Sequence, residues 1–504
     1  MGSWIDLLVI AAYLVGTTLF GCSFYFRKDS GDARTFMAGG GKLPGWVLSL
    51  SIFATYVSSI SFLALPAKAY LSNWNVLVLS FSIPIAAGVA AVWFVPFYRK
   101  MTSVSAYSFL EERFGFWARA YASGCFLVMQ GVRSGMILFL LALLLKSLAG
   151  FPIPGVILVV GLSTMAYSMM GGLRAVAWTD AIQAIILIGG ALLCLGVLCC
   201  TMPTGFVGGL RTASDAGKFS LGGLALTEWG QETFWVTFVY GVFLNLQNFG
   251  IDQSYTQRYL AAKSEREAVR SMFAGAMLYV PVSLVFVAIG TLLWVWVEGH
   301  PGAVPPGVLE KSDAVFPWFI VHRLPVGLTG LLVAAIIAAA MSTVSATLNS
   351  GATVLLEDYR KRFAKGPVGP KSQIRFLRLA TVVLGAFAVI VSFAVLNVKS
   401  VLTTWWAVQS VLSGGMLGLF LLGAFSRRAG RASAAVATVL GVMAIAWILF
   451  GQDLTMGHRL IHLNLSIVLG TLVLVLSGAL AGACFPGKAC RPVCQGKRVE
   501  FRTQ

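Results

Sequence analysis

Residues 49–61 read SLSIFATYVSSIS, a hydroxyl-rich stretch in the middle of an apolar segment that continues past Pro66. Most other apolar segments of the chain are plain runs of Leu, Val, Ile, Ala and Phe. Non-helical backbone occurs at membrane depth only where it is buried in protein or lines a cavity. The stretch therefore predicts a transmembrane helix that breaks at about residues 54–57 and turns free backbone carbonyls toward the protein interior.

The composition places this stretch in an all-α membrane protein. Hydrophobic residues make up 58% of the 504, and charged residues only 11%, against roughly 25% in soluble domains. Apolar runs of about twenty residues, enough to cross a hydrocarbon core of roughly 30 Å, recur along the whole chain. They predict about thirteen transmembrane helices, at residues 4–26, 44–71, 74–98, 117–149, 154–171, 175–200, 233–252, 268–297, 327–358, 373–397, 403–426, 430–451 and 461–485.

The positive charge is distributed unevenly between the two sides of these spans. Most of the 37 lysines and arginines fall in alternate loops and the C-terminal tail, and the net charge is +18. The positive-inside rule then predicts an outside N-terminus and a cytoplasmic C-terminus in the inner (plasma) membrane. The surplus thus reflects orientation rather than nucleic-acid binding. Because neither a P-loop nor a hydrolase elbow is present, we expect neither an enzyme nor an ATP-driven pump.

The second and seventh spans are both polar in the middle. The seventh contains Asn245, Gln247, Asn248 and Asp252 in one short stretch. Corresponding interrupted helices in two halves of a chain indicate an inverted-repeat transporter. An offset of five helices predicts one five-helix repeat at 44–200 and an inverted one at 233–426. An outer loop (201–232) would join them, with peripheral parts at 1–43 (first helix and cytoplasmic loop) and 427–504 (two helices and a short tail).

Arg133 lies near the middle of the fourth span. An arginine at that depth costs several kcal/mol unless it faces water or an anion. Its guanidinium matches a carboxylate with two parallel hydrogen bonds, which favours contact with an acidic solute. The alternative is an internal ion pair, for which the spans offer chiefly Asp6, Asp180 and Asp252.

The ninth span carries hydroxyls on one helix face. Ser342 and Ser345 are three residues apart, and Thr343 lies one step round the helix. Sodium is a hard cation that takes oxygen ligands, and these hydroxyls together with carbonyls from a broken helix would supply them. Alternatively, the hydroxyls bond back to the preceding turn and let helices pack closely.

Three other charged residues have simpler interpretations. Asp180, one turn into the sixth span, either holds a cation or accepts structural hydrogen bonds. Lys68 follows Pro66, and its long side chain is expected to reach the outer interface. Arg258, at the end of the seventh span, is expected to anchor that span at the membrane interface.

Several of these motifs resemble one family. The string GGLRAVAWTDAIQ at 171–183, the Gln257-Arg258-Tyr259 string and the Ser/Thr-rich ninth span are similar to those of the sodium:solute symporter family, over roughly residues 4–485. The resemblance implies a LeuT-like fold of thirteen helices and alternating access of the rocking type. Within the family, the second span and Arg133 are most similar to those of members that carry sialic acid.

The resemblance also implies a sodium site and a solute site. Sodium would lie among the carbonyls of Ala54, Val57 and Ala339 and the hydroxyls of Ser342 and Thr343. Arg133 would hold the carboxylate of the solute. The remaining implied solute contacts are Ser58, Ser61, Tyr56, Ser80 and Asn245.

Three positions depart from the sialic acid carriers. Tyr56 replaces a threonine and Ser80 a glutamine, so another small organic acid (a monocarboxylate, an amino acid or a pantothenate-like acid) remains an alternative to sialic acid. A second sodium site would use Asp180 and Ser345, but its third ligand position is Ala346. We therefore expect one strongly bound sodium ion and a weak or absent second one. A solute sensor that does not transport is disfavoured, because only a short tail follows the last predicted span.

Overall fold

The computed structural model describes residues 3–26, 31–310, 312–397, 401–452 and 460–484. The α-helices in the first part of the chain are α1 (Trp4–Ser23), α2 (Ala33–Ala38), α3 (Gly45–Tyr56), α4 (Ser59–Leu71), α5 (Val78–Phe81), α6 (Ile83–Val89), α7 (Val95–Lys100), α8 (Ser108–Phe114), α9 (Phe116–Ala149), α10 (Ile153–Cys200) and α11 (Gly205–Asp215). Those in the second part are α12 (Phe234–Ile251), α13 (Gln253–Ala261), α14 (Glu265–Glu298), α15 (Pro306–Leu309), α16 (Ser312–Arg323), α17 (Leu328–Val354), α18 (Lys361–Phe363), α19 (Pro370–Ala394), α20 (Val401–Phe425), α21 (Arg431–Ala446) and α22 (Ser466–Cys484).

Short segments of tighter or wider helix join several of these elements. The π-helical turns are Ala90–Phe94, Leu355–Arg360 and Trp447–Gly451. The 3₁₀ turns are Phe24–Phe26, Gly39–Gly41, Trp74–Leu77, Val395–Asn397 and Leu463–Leu465. The outer loop predicted at 201–232 contains α11, and α15 and α16 lie between the predicted eighth and ninth spans. None of these three helices was predicted, because none forms an apolar run long enough to cross a membrane.

Helix length and composition identify the candidate membrane spans of the structure. Within the described ranges, 11 helices are long and apolar enough to cross a membrane, and α3 with α4 form a further span bent by 56°. Helix α10 contains 48 residues, so at 1.5 Å per residue its two halves have a combined length of about 72 Å, enough for two crossings of a hydrocarbon core. It covers both the fifth and the sixth predicted spans.

A sharp break divides α10 at Gly172. This residue has φ 58° and ψ −153°, a conformation open in practice only to glycine. A Cβ added there would lie 2.7 Å from the carbonyl oxygen of Phe36, so the close approach of α2 also requires glycine. The break falls between the predicted spans 154–171 and 175–200. It therefore explains how the continuous helix α10 can contain two separate membrane spans.

Two further breaks fall where the sequence is most polar. Helix α3 ends at Tyr56, Val57 and Ser58 are extended, and the Ser58 hydroxyl accepts the Ser61 N–H at 3.3 Å to begin α4. Between α12 and α13, Asp252 is extended and its carboxylate accepts the Ser254 N–H at 2.7 Å. In both spans a side-chain cap supplies the partner that an N-terminal N–H would otherwise lack. The predicted interruptions of the second and seventh spans are therefore confirmed.

The core is centred on α17, which is buried over nearly its whole length. Its N-terminus is capped from the first span, because Asp6 Oδ1 accepts the N–H groups of Gly327 and Gly330, each at 2.8 Å. A negative charge at a helix N-terminus is favourable. The buried Asp6 therefore has a structural role, while α1 itself, like α21 and α22, exposes most of its surface.

We expect Gly172→Ala to destabilise the protein, since it places a side chain in a conformation that costs about 1–3 kcal/mol and against the Phe36 carbonyl. The measurement is the midpoint of thermal unfolding of the purified protein in detergent. Gly189→Ala is the matched control in the same helix, because a Cβ there would have nothing within 4 Å. Equal midpoints for the two variants would contradict this explanation of the break.

Candidate ion and solute site

Five oxygen atoms converge where α3 breaks beside α17. The Ser342 hydroxyl lies 2.9 Å from the carbonyl oxygen of Ala54 and 3.2 Å from that of Ala339. The Thr343 hydroxyl lies 3.1 Å from the same Ala339 oxygen and 3.5 Å from that of Val57. Both hydroxyl-bearing residues are buried. The cluster contains only neutral oxygens, a donor set that suits a hard monovalent cation.

The break explains why these carbonyls are available. The last four carbonyls of a helix have no intrahelical N–H partner, and Ala54 is one of the last four residues of α3. Val57 follows the helix in an extended conformation, so its carbonyl also leaves the ladder. The hydroxyls of the neighbouring helix take the place of the missing N–H groups.

Arg133 lies half-buried in α9 without a partner of opposite charge. Among the described residues it makes no hydrogen bond or ion pair, although its charge acts on Asp252 and Tyr255. The three acids considered as partners bond to other groups. Asp252 accepts from the Gln130 amide at 2.9 Å, Asp6 from backbone N–H groups at the start of α17, and Asp180 from an arginine of α13. The structure therefore does not contain the internal ion pair that was the alternative interpretation of Arg133.

Asp180 is paired with Arg258, and the predicted interface role of Arg258 is wrong. The Arg258 guanidinium donates to Asp180 Oδ2 at 2.8 Å, to the Ser51 hydroxyl at 2.7 Å and to the Ser254 carbonyl at 2.5 Å. Both charged side chains have no exposed surface. The sequence did not indicate this pairing, because α13 turns inward at the Asp252 break instead of continuing to the membrane surface.

The residues suggested for a second sodium site differ in how far their oxygens are already engaged. Asp180 Oδ1 is buried and has no hydrogen-bond partner within the described ranges. The Ser345 hydroxyl donates to the Ser342 carbonyl at 3.0 Å, and Ala346 contributes no side-chain oxygen. One carboxylate oxygen is thus available, while its other oxygen is used by Arg258 and Ser51.

The residues suggested for solute contact line the break and the adjacent helix α12. The Tyr56 hydroxyl donates to Asn245 Oδ1 at 2.5 Å, and the Asn245 amide nitrogen donates to Ser82 at 2.9 Å. The Ser58 and Ser61 hydroxyls lie 3.4 Å apart on α4. Ser80 is buried nearby in α5. Ser82 was not predicted, although it lies two residues from Ser80.

Gln130 and Thr347 are two further residues that sequence reasoning missed. Gln130 donates to Asp252 and accepts from the Thr347 hydroxyl at 3.4 Å. It lies three residues before Arg133 on the same helix face, and this spacing could have indicated its position. Together these bonds fix α9 against the second helix break.

A comparison of the whole sequence with known families decides the assignment. The sequence model of the sodium:solute symporter family matches residues 36–441. The chain belongs to this family. It is therefore a multi-pass membrane protein from a family of transporters, and sodium is its coupling ion, as the sequence motifs indicated.

Individual relatives of this symporter agree with that assignment. It is 32% identical over 486 residues to the sodium/sialic acid symporter SiaT of Proteus mirabilis (strain HI4320), covering 96% of this chain and 95% of the relative. The solved structure of a Na⁺-coupled sialic acid symporter in its substrate-bound, outward-open state has a TM-score of 0.90 at 30% identity, covering 97% and 99% of the two chains. The structure of Mhp1, a nucleobase-cation-symport-1 family transporter, has a TM-score of 0.54 at 15% identity, covering 91% of this chain and 96% of that one. This likeness shows a shared fold alone.

We expect Arg258→Met to destabilise the symporter by about 3–5 kcal/mol, because it leaves the buried Asp180 carboxylate without its counter-charge. Unfolding of the purified protein would measure this, and the double variant Asp180→Asn/Arg258→Met is expected to recover stability.

Lys68→Met is the control for that experiment. Lys68 reaches the exposed surface as predicted and pairs with Glu232 at 2.7 Å, each side chain being about two-fifths exposed. Loss of an exposed pair costs about 0–1 kcal/mol. A double variant no more stable than Arg258→Met would show that the unpaired charge is not the cause.

Proposed function

We propose that this chain is a secondary active symporter that imports sialic acid (N-acetylneuraminate) together with sodium. The guanidinium of Arg133 carries the proposal, since it is a half-buried cation with no hydrogen bond or ion pair to the described residues and can accept an anionic partner. The similarity of the whole chain to sialic acid symporters favours this carboxylate over others. The solute would extend from Arg133 toward Tyr56, Ser58, Ser61, Ser80 and Asn245.

The five-oxygen cluster supports a coupling mechanism. Sodium bound between the broken end of α3 and the hydroxyls of α17 would add a further link between two elements that the Ser342 and Thr343 hydroxyls already connect. The bound ion would hold α3 and α4 in the arrangement that receives the solute, so that joint occupancy favours closure and release on the inner side. Each charge that moves inward across 100 mV contributes roughly 2.3 kcal/mol.

The topology required for import follows from the distribution of charge. We propose thirteen spans in the inner (plasma) membrane, with the N-terminus outside and the C-terminus in the cytoplasm. The count follows from 11 long helices, the bent α3–α4 span and the division of α10 at Gly172. The regions 44–200 and 233–426 would be the two inverted repeats, and their breaks at Val57 and Asp252 support this division.

A second candidate is the same symport mechanism with another small organic acid. The observation that favours it is the bond between Tyr56 and Asn245, since both residues would have to meet the sugar end of sialic acid. This alternative retains sodium, Arg133 and the fold.

Arg133→Ala is expected to abolish sodium-driven uptake of N-acetylneuraminate into proteoliposomes. Removing one partner of a buried charge pair costs about 2–5 kcal/mol, so the apparent affinity would fall about 30-fold or more. Arg133→Lys keeps the charge but loses the two-pronged contact, and should retain intermediate uptake. Arg211→Ala, on the exposed face of α11, is the control. Near-normal affinity in Arg133→Ala would remove Arg133 from the solute site.

Ser342→Ala is expected to raise the sodium concentration for half-maximal uptake about tenfold or more, as is usual when a metal site is disturbed. Ser392→Ala is the matched control, because the buried Ser392 hydroxyl donates to the Ala388 carbonyl of its own helix at 2.7 Å and bonds to no other described residue. We expect both proteins to show sodium activation with a Hill coefficient near one, given Ala346 and the Asp180–Arg258 pair. A coefficient near two in the unmodified protein would contradict the single strong site.

A further inference from the structure

The bond between Tyr56 and Asn245 joins the first broken span to helix α12. It is 2.5 Å long, and within the described ranges it is the one side-chain hydrogen bond between α3 or α4 and α12. The Asn245 amide nitrogen is also engaged, with Ser82 at 2.9 Å. Both ends of the amide are therefore occupied by the protein. A hydroxyl of the solute that bonds to Asn245 would therefore have to share the amide with Tyr56 or Ser82.

The ring of Tyr56 belongs to a cluster of aromatic side chains. It stacks on Phe249 with ring centroids 5.7 Å apart, and it meets the edge of Tyr279 at 4.5 Å. Phe249 in turn packs against Tyr255 at 5.4 Å. We call Tyr56, Phe249, Tyr255 and Tyr279 the aromatic wall. Its four members come from α3, α12, α13 and α14, so both helix breaks contribute to it.

The aromatic wall extends from the ion cluster toward Arg133. Tyr56 directly precedes Val57, whose carbonyl belongs to the five-oxygen cluster. Tyr255 lies in the first turn of α13, whose cap residue Asp252 accepts a hydrogen bond from Gln130, three residues before Arg133 on α9. A solute whose carboxylate is bound by Arg133 and whose body extends toward the break would therefore meet the ring of Tyr56, which is partly exposed, while the other three members of the wall are buried behind it.

Such a wall discriminates between the possible ends of a solute. Aromatic faces offer favourable contact to flat or apolar groups, but they offer no hydrogen bonds to a chain of hydroxyls. Hydroxyl groups that lose water without gaining partners weaken binding. A site with polar groups placed to bond those hydroxyls would instead bind the hydroxyl-rich solute, and it would reject solutes that lack the hydroxyls.

We propose that Tyr56 is the specificity-determining residue of the solute site, and that it makes the site favour carboxylates whose end remote from Arg133 is compact and poor in hydroxyls. This inference rests on the proposed symport of a carboxylate solute and specifies its class. Among sialic acids it favours a molecule without the three-carbon glycerol side chain over intact N-acetylneuraminate.

The test compares two probes that differ only in that side chain, N-acetylneuraminate and its analogue lacking the glycerol group. Their affinities for the full-length purified protein would be measured by calorimetry in saturating sodium. The unmodified protein is expected to bind the truncated analogue at least as tightly as the intact sugar. Tyr56→Ser should shift the affinity ratio about tenfold toward the intact sugar. Tyr56→Phe, which keeps the ring but frees Asn245, should shift it about threefold.

Tyr98→Phe is the control variant, because it also removes a buried tyrosine hydroxyl, one that donates to the Gly250 carbonyl at 2.8 Å. Its affinity ratio should equal that of the unmodified protein. An unchanged ratio in Tyr56→Phe overturns the inference, even if Tyr56→Ser does not fold. A tenfold preference of the unmodified protein for the intact sugar also overturns it while leaving the proposed function standing. Failure of the unmodified protein to bind either probe in sodium would instead refute the proposed function.

Discussion

Inside a membrane, the carbonyl oxygens of Ala54 and Val57 need partners, because α3 ends at Tyr56 and leaves them outside the helical ladder. The hydroxyls of Ser342 and Thr343 meet that need from α17. A hydroxyl can rotate, so it can donate to a carbonyl or turn its lone pairs toward a cation. The contacts that satisfy the broken helix without an ion are thus the ligands that would receive one. For that reason α17 has to be buried on all sides and held in register with α3.

The same short helix is fixed one turn earlier by charge. Ser51, three residues before Ala54, lies between the Asp180 carboxylate and the Arg258 guanidinium. These bonds connect α3 to α10 and α13, and their low-dielectric surroundings make an unpaired member costly. A rigid attachment below the break and a neutral oxygen cluster at the break give α3 one firm end and one adaptable end.

The sequence predicted the parts of this arrangement that depend on local chemistry. Apolar runs predicted the spans, and the polar residues around Val57 and Asp252 predicted the breaks, because a capping side chain and its helix are neighbours in the chain. The role of Arg258 could not be predicted this way, since its burial depends on the direction α13 takes after Asp252. The small helices α11, α15 and α16 were missed because hydropathy does not detect short helices outside the membrane. The five-oxygen cluster was suggested by family resemblance, and the bond from Tyr56 to Asn245 became visible only when α3 and α12 were placed side by side.

Asp6 has a further consequence for how the protein is made. Its carboxylate bonds to Gly327 and Gly330, more than three hundred residues later in the chain. During synthesis the first helix enters the membrane long before α17, and it carries the cap for a helix that does not yet exist. The bond between the first helix and the most buried one can therefore form only after residues 327–330 have been synthesised, when nearly two-thirds of the chain is already made.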